Sequence, residues 1–308
     1  MNEEALLIAF GAATFRVATP LLLAALGETI SERGGVLNLG IEGSMLAGAF
    51  AAALGATSGG AWFGTLMGVA AGALAAMLLV IVSVWLRGDQ IIAGTAITLA
   101  AFGVTGLLAA TLPTAGDAAI AVPGLGPVAI PILSRIPLAG PVLFNQSPLT
   151  WLALLMAPIC WWLLYRTRFG LELRASGESP EAATAAGVRV TRVRGLGTLI
   201  GGALAGLGGA ALVLAQVGSF TERMTAGRGF IAIAIVVLGR WHPALVVPAA
   251  LLFGACSALQ YLFQAAGTPV PYQLMLALPY LMALLVLAVL RGRSEAPAGL
   301  ARNAPLAD

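Results

Sequence analysis

Apolar runs, each about as long as a bilayer span, follow one another through most of this chain. A run of about 20 residues crosses a hydrocarbon core of roughly 30 Å, and only a helix satisfies its own backbone there. The composition agrees, because 59% of the 308 residues are hydrophobic and 9% are charged, against about 25% charged in soluble domains. The chain is therefore predicted to be an all-α integral membrane protein.

Polar, glycine and proline breaks between the apolar runs set the number of spans. The pattern predicts about nine transmembrane helices in a single polytopic domain over residues 1–293. They are placed at 5–27, 36–56, 61–86, 91–112, 148–165, 195–217, 227–240, 243–265 and 272–290. A count of ten stays open, and one miscounted span would reverse the side on which a terminus lies.

Two stretches fall outside these spans. Residues 113–147 are rich in proline and glycine yet carry many aliphatic side chains, which indicates an external loop lying on the protein surface. A re-entrant half-helix near 137–144 remains open. The end of the chain, 294–308, is predicted to be a disordered tail.

Arginine residues are concentrated between the fifth and sixth spans. Loops on the cytoplasmic side of a membrane carry an excess of basic residues, so this stretch, 166–194, is predicted to be cytoplasmic. With that orientation twelve arginines lie inside and three outside. The N-terminus is then expected outside and the C-terminus in the cytoplasm.

A short helix is predicted within this basic loop, over 180–186. A serine suits the N-cap, a proline the first helical position, and a glycine the left-handed residue after the end. Because a helix this short is unstable alone in water, we expect it to dock on a partner; a loop that is helical by accident is the alternative. The expected docking residues are Ser179, Pro180, Glu181, Ala182, Ala183 and Gly187.

The two halves of the chain share a pattern of breaks. Gly34 and Gly35 precede a glycine-interrupted span, and Gly227 and Gly229 begin an unusually short one. The breaks lie on opposite sides of the predicted membrane. Paired breaks of this kind mark the solute path in many transporters, so we predict two inverted four-helix repeats around a connecting fifth helix. Chance similarity between apolar sequences is the alternative.

Polar side chains near the predicted membrane depth are candidates for lining a solute path, because they are costly in lipid. The candidates are Asn38, Glu42, Gln90, Gln216, Glu222 and Arg228. Structural roles are the alternative: Glu42 would cap a broken helix or pair with an arginine, and Asn38 and Gln216 would hold helices together by hydrogen bonds.

Groups for catalysis or metal binding are scarce. His242 is the only histidine, and Cys160 and Cys256 lie in apolar runs without the spacing of a metal or disulfide framework. The sequence also lacks a GxxxxGK[ST] phosphate loop. The chain is predicted to be no enzyme, with no catalytic residues and no metal or cofactor of its own.

Three stretches resemble a known family: 15–22, 32–45 and 173–187. Over roughly residues 10–290 the chain resembles the permease subunits of bacterial ABC importers for nucleosides and simple sugars, and in particular the shorter permease of the nucleoside importer pair. The Glu181-Ala182-Ala183 sequence with Gly187 also resembles the EAA loop of import permeases, although the downstream part of that pattern is absent.

The resemblance implies a translocation path for a nucleoside or simple sugar across the bacterial inner membrane, with the 180–186 helix as the coupling helix. It implies a second homologous permease, a cytoplasmic ABC ATPase with two nucleotide-binding domains that uses ATP and Mg, and an extracytoplasmic solute-binding lipoprotein. Membrane lipid surrounds the chain, and no nucleic acid is expected to bind. An ATPase-independent secondary transporter or channel for a small polar solute is the alternative.

Overall fold

Helices make up most of the computed structural model, which describes residues 3–111, 120–131, 133–137, 139–265, 272–289 and 296–302. The helices are α1 Glu3–Arg33, α2 Ile41–Gly59, α3 Ala61–Leu79, α4 Gln90–Thr111, α5 Ala139–Leu143, α6 Pro148–Arg166, α7 Arg168–Glu178, α8 Pro180–Ala185, α9 Val190–Ala211, α10 Arg228–Leu238, α11 Pro243–Ala265 and α12 Tyr272–Val289. Two of them continue as π-helical turns: α3 over Val80–Trp85 and α9 over Leu212–Val217.

Six helical segments in the described ranges are long and apolar enough to cross a membrane. They are Glu4–Arg33, Ala61–Trp85, Gln90–Thr111, Pro148–Arg166, Val190–Val217 and Pro243–Gln264. The all-α membrane fold predicted from the sequence is confirmed, and these segments coincide with six of the nine predicted spans. The other three predicted spans contain α2, α10 and α12, and α10 has only 11 residues.

Helix α9 lies at the centre of the bundle, with α1, α2 and α3 packed around it. Glycines allow this close packing: a Cβ built on Gly48 of α2 or on Gly72 of α3 would lie 2.5 Å from the Cα of Gly206 in α9. Such contacts bring backbones together, which is how helices associate in lipid without a hydrophobic driving force. Large apolar side chains on α3 and α4, such as Leu66 and Leu99, are exposed.

The bundle has two ends that differ in charge. Helix α1 finishes at the end that carries α7 and α8, which we call the basic end. It starts at the other end, which we call the opposite end, where Gln146 Nε2 donates a hydrogen bond to the carbonyl oxygen of Ala12 at 3.2 Å. With 31 residues, α1 connects the two ends in one helix.

Short antiparallel strands cover the opposite end. Strand β1, Ile120–Ala121, pairs with β4, Ser219–Phe220, and β2, Val128–Ala129, pairs with β3, Asn145–Gln146. The described part of the predicted 113–147 loop therefore folds onto the bundle, and residues 113–119, 132 and 138 lie outside the described ranges. Helix α5 has five residues, which is too short for a half-helix crossing about 15 Å at 1.5 Å per residue.

Part of the predicted disordered tail is packed against the basic end. Gly299 N–H donates to the carbonyl of Gly177 at 2.8 Å, and Arg194 Nη1 donates to the carbonyl of Arg302 at 2.6 Å. Arg194 is only 2% exposed. The prediction of disorder is wrong for residues 296–302, because their backbone groups find partners far away in the sequence. The rest of the 294–308 tail lies outside the described residues.

Candidate functional site

Two helices, α7 and α8, form the basic stretch between α6 and α9. Helix α8 begins after Ser179, whose hydroxyl oxygen accepts a hydrogen bond from Ala182 N–H at 3.3 Å, and it ends before Gly187, where φ is +85°. Sequence analysis missed α7. Its capping signal was Thr167, whose hydroxyl oxygen accepts from Gly170 N–H at 3.0 Å.

Only one face of α8 is open to a partner. Pro180 and Ala183 are buried, and Ala183 packs in a small cluster with Val190 at the start of α9. Of the six predicted docking residues, Ser179, Pro180 and Ala183 therefore build and seat the helix. The exposed members of the set are Glu181, Ala182 and Gly187.

The junction between α7 and α8 rests on the end of α1. Glu178 Oε1 lies 3.9 Å from Arg33 Nη1. Gly177 packs so closely on α1 that a Cβ built there would collide with the carbonyl group of Arg33. Arg194 adds a further tie, because its Nη2 donates to the carbonyl of Ser176 at 2.8 Å. These contacts join the α7–α8 junction directly to the last turn of α1 and to α9.

The last turn of α1 also holds the C-terminal end of α10. Arg33 Nε donates to the carbonyl of Trp241 at 2.8 Å, and Trp241 Nε1 donates to Glu32 Oε2. Arg240 and Trp241 both have φ of +52°, a conformation that non-glycine residues rarely adopt. The next residue, His242, is half-buried, and burial together with the positive charge of Arg33 lowers its pKa.

Glu42 binds the other end of α10. Its side chain is fully buried, its Oε1 accepts from Gly227 N–H at 2.8 Å, and its Oε2 accepts from Gly229 N–H at 2.6 Å. These N–H groups belong to the first turn of α10, where no intrahelical acceptor exists. The carboxylate also suits the positive end of the helix dipole. In the structure Glu42 therefore caps the start of a helix, which is the structural role given above as the alternative to lining a solute path.

Helix α10 reaches only half-way across a membrane. Its 11 residues rise by about 16 Å at 1.5 Å per residue, about half of a 30 Å hydrocarbon core. Because its last turn is tied to the basic end, its first turn lies near the middle of the bilayer thickness. Glu42 and the start of α2 lie at that same depth.

Buried polar groups support the irregular stretch between α1 and α2. Asn38 N–H donates to Glu28 Oε1 at 2.9 Å, and Leu37 N–H donates to Gln90 Oε1 at 2.8 Å. Asn38 and Gln90 are both buried, and the side-chain amide of Asn38 has no hydrogen-bond partner in the part of the chain that the structure describes. Gln90 thus has a backbone-supporting role.

The remaining predicted path residues lie around the break between α9 and α10. Gln216 is half-buried in the π-helical end of α9, whereas Glu222 is exposed at the opposite end, near Gly106 of α4. Arg228 starts α10, and its Nη1 donates to the carbonyl of Met224 at 2.8 Å. The structure brings Arg228 and Glu42 to the same end of α10.

A polar cavity of about 250 Å³ opens between α1, α10, α11 and α12. Arg228 is the predicted path residue that lines it. The other polar residues in its lining are Ser257, Gln260, Tyr261, Gln264 and Tyr280. Sequence analysis missed these side chains, although four of them recur on α11 with the i, i+3, i+4, i+7 spacing of one helix face.

Comparisons with known proteins agree on one family. Residues 12–288 match the family described as branched-chain amino acid transport system / permease component. The guanosine ABC transporter permease protein NupQ of Bacillus subtilis is 36% identical over 92% of both chains. The nucleoside ABC transporter permease protein NupC of Lactococcus lactis is 36% identical over 91% of both chains.

A further relative comes from Haloferax volcanii, where it is provisionally named as the glucose ABC transporter permease protein TsgC13. It is 38% identical to this chain over 80% of the chain and 75% of its own length. No solved structure matches the chain significantly.

Proposed function

Because the chain belongs to the branched-chain amino acid transport system / permease component family and is a membrane permease subunit of an ABC importer, we propose that it forms part of the path for a nucleoside or a simple sugar. Two similar proteins carry nucleoside names and one carries a glucose name. These names disfavour the ATPase-independent transporter that the sequence left open.

One structural observation supports this proposal most strongly: the half-membrane helix α10 is held at both ends. Glu42 binds its first turn, and Glu32 with Arg33 binds the residues after its last turn. The same Arg33 contacts the α7–α8 junction. A continuous chain of contacts thus runs from α8 at the basic end to the polar cavity near the middle of the bilayer.

We infer that the open face of α8 receives a cytoplasmic ABC ATPase. Closure of the ATPase on ATP would displace α8 as a rigid element, and Arg33 with Trp241 would pass the displacement to α10, which lines the cavity. Rigid-body shifts of helices can switch a packed bundle between two states. Because α8 would make different contacts in the two ATPase states, ATP binding would shift the equilibrium between the two states of the bundle. In this proposal ATP and Mg bind to the ATPase rather than to this chain.

The proposal also includes the orientation of the chain in the membrane and an inverted internal repeat of its helices. The basic end faces the cytoplasm, so the N-terminus lies outside and the C-terminus inside. Nine spans form two inverted repeats, α1–α4 and α9–α12, around α6. Support comes from the two breaks: 34–40 starts at the basic end, 218–227 starts at the opposite end, and they meet where Glu42 binds Gly227.

The proposed partners complete the importer. A second homologous permease would form the other half of the path, and an extracytoplasmic solute-binding lipoprotein would deliver the solute at the opposite end. The three relatives reported above carry names of ABC transporter permeases, which supports the ATPase and the binding protein as partners.

A large side chain introduced on the exposed face of α8 should prevent the ATPase from binding to the permease. We expect Ala182→Trp to lower the amount of copurified ATPase by about tenfold and to stop uptake, because Ala182 is exposed in the middle of the docking face. The matched control is Ala129→Trp, an exposed residue of β2 at the opposite end, which should retain the ATPase. Unchanged ATPase copurification in Ala182→Trp would remove the docking assignment.

A further inference from the structure

We propose that residues 296–302 form a strap that fixes α8 to the end of α1, and that Arg194 is the positioning residue that holds this strap. The inference rests on the proposed function and extends it, because it names the contacts that make α8 and the end of α1 move together when the ATPase closes. Without the strap, the ATPase would displace α8 while α1 stayed in place. ATP would then be hydrolysed with little uptake.

The first argument is the way in which the strap is seated. It folds as two overlapping turns, in which Leu300 N–H donates to the carbonyl of Pro297 at 2.9 Å and Arg302 N–H donates to the carbonyl of Gly299 at 3.2 Å. Pro297 and Gly299 are buried, and Leu300 packs against the main hydrophobic core. A segment that closes its own turns and buries apolar groups has a defined position on the bundle.

The second argument is that the strap lies between the break after α1 and the start of α8. Ala301 N–H donates to the carbonyl of Gly35, within the break, at 3.1 Å. A Cβ built on Gly299 would lie 3.1 Å from Pro180 Cδ, at the first position of α8, and 2.8 Å from the carbonyl oxygen of Gly177. Helix α8 has six residues, too few to be stable alone. The strap therefore contacts both elements whose relative position the coupling requires.

The third argument is a carboxylate that α1 and the strap share. Glu178 Oε1 lies 3.9 Å from Arg33 Nη1, and Glu178 Oε2 accepts a hydrogen bond from Ala298 N–H at 3.3 Å. One side chain at the end of α7 thus contacts the last residue of α1 and the strap. Because the Glu178 side chain is 56% exposed, solvent weakens this ion pair. The backbone contacts of the strap therefore carry more of the connection.

The fourth argument is the buried guanidinium of Arg194, near the start of α9. Its Nη1 donates to the carbonyl of Arg302 at 2.6 Å, and its Nη2 donates to the carbonyl of Ser176 at 2.8 Å. Among the residues that the structure describes, no carboxylate lies within 4 Å of this group. A buried charge is costly unless its hydrogen bonds are made, and here the carbonyls of the strap and of α7 accept them. Arg194 therefore joins the strap, α7 and α9.

The test uses the complete importer in proteoliposomes, with ATP inside, the solute-loaded receptor outside, and labelled guanosine and labelled glucose as the probes. Arg194→Met removes the donor that holds the strap, and Gly299→Val places a side chain against the carbonyl of Gly177. In both variants we expect uptake to fall about tenfold and the ratio of ATP hydrolysed to solute moved to rise about tenfold, because contacts that carry coupling are removed. Copurified ATPase should not change, since the open face of α8 is intact.

Three further variants separate positioning from general damage. Arg194→Lys keeps a cation that donates to carbonyls, so its ratio of ATP to solute should stay within about threefold of the unmodified value. Arg192→Met makes the same change as Arg194→Met at an exposed residue of α9 and should keep that ratio. Gly126→Val, at an exposed glycine of the opposite end where a Cβ would meet nothing within 4 Å, should also keep it.

Three outcomes would overturn the inference and can be told apart. If Arg194→Met and Gly299→Val keep the unmodified ratio and uptake, the strap does not position α8 and the importer function stands. If uptake falls only in proportion to folded protein or copurified ATPase, with the ratio unchanged, the strap has a purely structural role and the importer function again stands. If the unmodified importer moves neither guanosine nor glucose with ATP, the proposed function fails and the inference fails with it.

Discussion

Glu42→Ala is expected to abolish ATP-driven uptake and to destabilise the protein. The variant leaves two buried N–H groups at the start of α10 without an acceptor. An unsatisfied buried donor costs about 1–3 kcal/mol, so we expect a loss of about 2–6 kcal/mol in the free energy of unfolding. The melting temperature of the purified permease complex and its uptake rate measure the two effects.

Two variants control for this result. Glu42→Gln keeps one oxygen for one N–H group but turns an amide NH₂ toward the other, so it should lie between Glu42→Ala and the unmodified protein. Glu4→Ala removes a carboxylate from the exposed first turn of α1 and should change neither measurement. Unmodified stability and uptake in Glu42→Ala would show that the carboxylate does not hold α10.

Gly206→Val is expected to prevent the bundle from assembling. The backbones of Gly48 in α2 and Gly72 in α3 both lie against Gly206, and a Cβ built on Gly206 would lie 2.8 Å from the Cα of Gly72. Backbone atoms cannot move aside as a flexible side chain can, so α2 and α3 would have to separate from α9. We expect the yield of monodisperse protein after size-exclusion chromatography to fall more than tenfold.

Gly103→Val is the matched control for this substitution. Gly103 lies within α4, and a Cβ built there would meet nothing within 4 Å. In both variants valine replaces a glycine within a helix, so the effect of helix propensity is common to the two. Equal yields of Gly206→Val and Gly103→Val would contradict the close packing of α9 with α2 and α3.

Features fixed by local chemistry could be predicted from the sequence. The six long apolar spans follow from hydropathy, and α8 follows from a serine N-cap, a proline at the first position and a glycine after the end. Arg228 and Glu42 could be chosen as candidate path residues because a charged side chain within the membrane is costly in free energy and therefore indicates a specific role. The family resemblance carried by 32–45 now has a structural meaning, since that stretch holds both ends of α10.

Features fixed by distant contacts could not be predicted. Glu42 and Gly227 are 185 residues apart, and no local pattern shows that they meet. The same holds for residues 296–302, whose partners are Gly177, Gly35 and Arg194. The polar stripe of α11 follows from its helical spacing, but no local pattern shows that these side chains line a cavity together with residues of α1, α10 and α12.

The central claim is that α8 lies in the cytoplasm and binds the ATPase, and cysteine cross-linking in the assembled importer tests it most directly. The background is a chain with Cys160→Ala and Cys256→Ala, two buried thiols. We predict that Ala182→Cys links covalently to the ATPase and resists a membrane-impermeant thiol reagent added to intact cells. Ala129→Cys should react with that reagent and form no link to the ATPase. Labelling of Ala182→Cys from outside, or the absence of its ATPase adduct in an importer that is active, would contradict the claim.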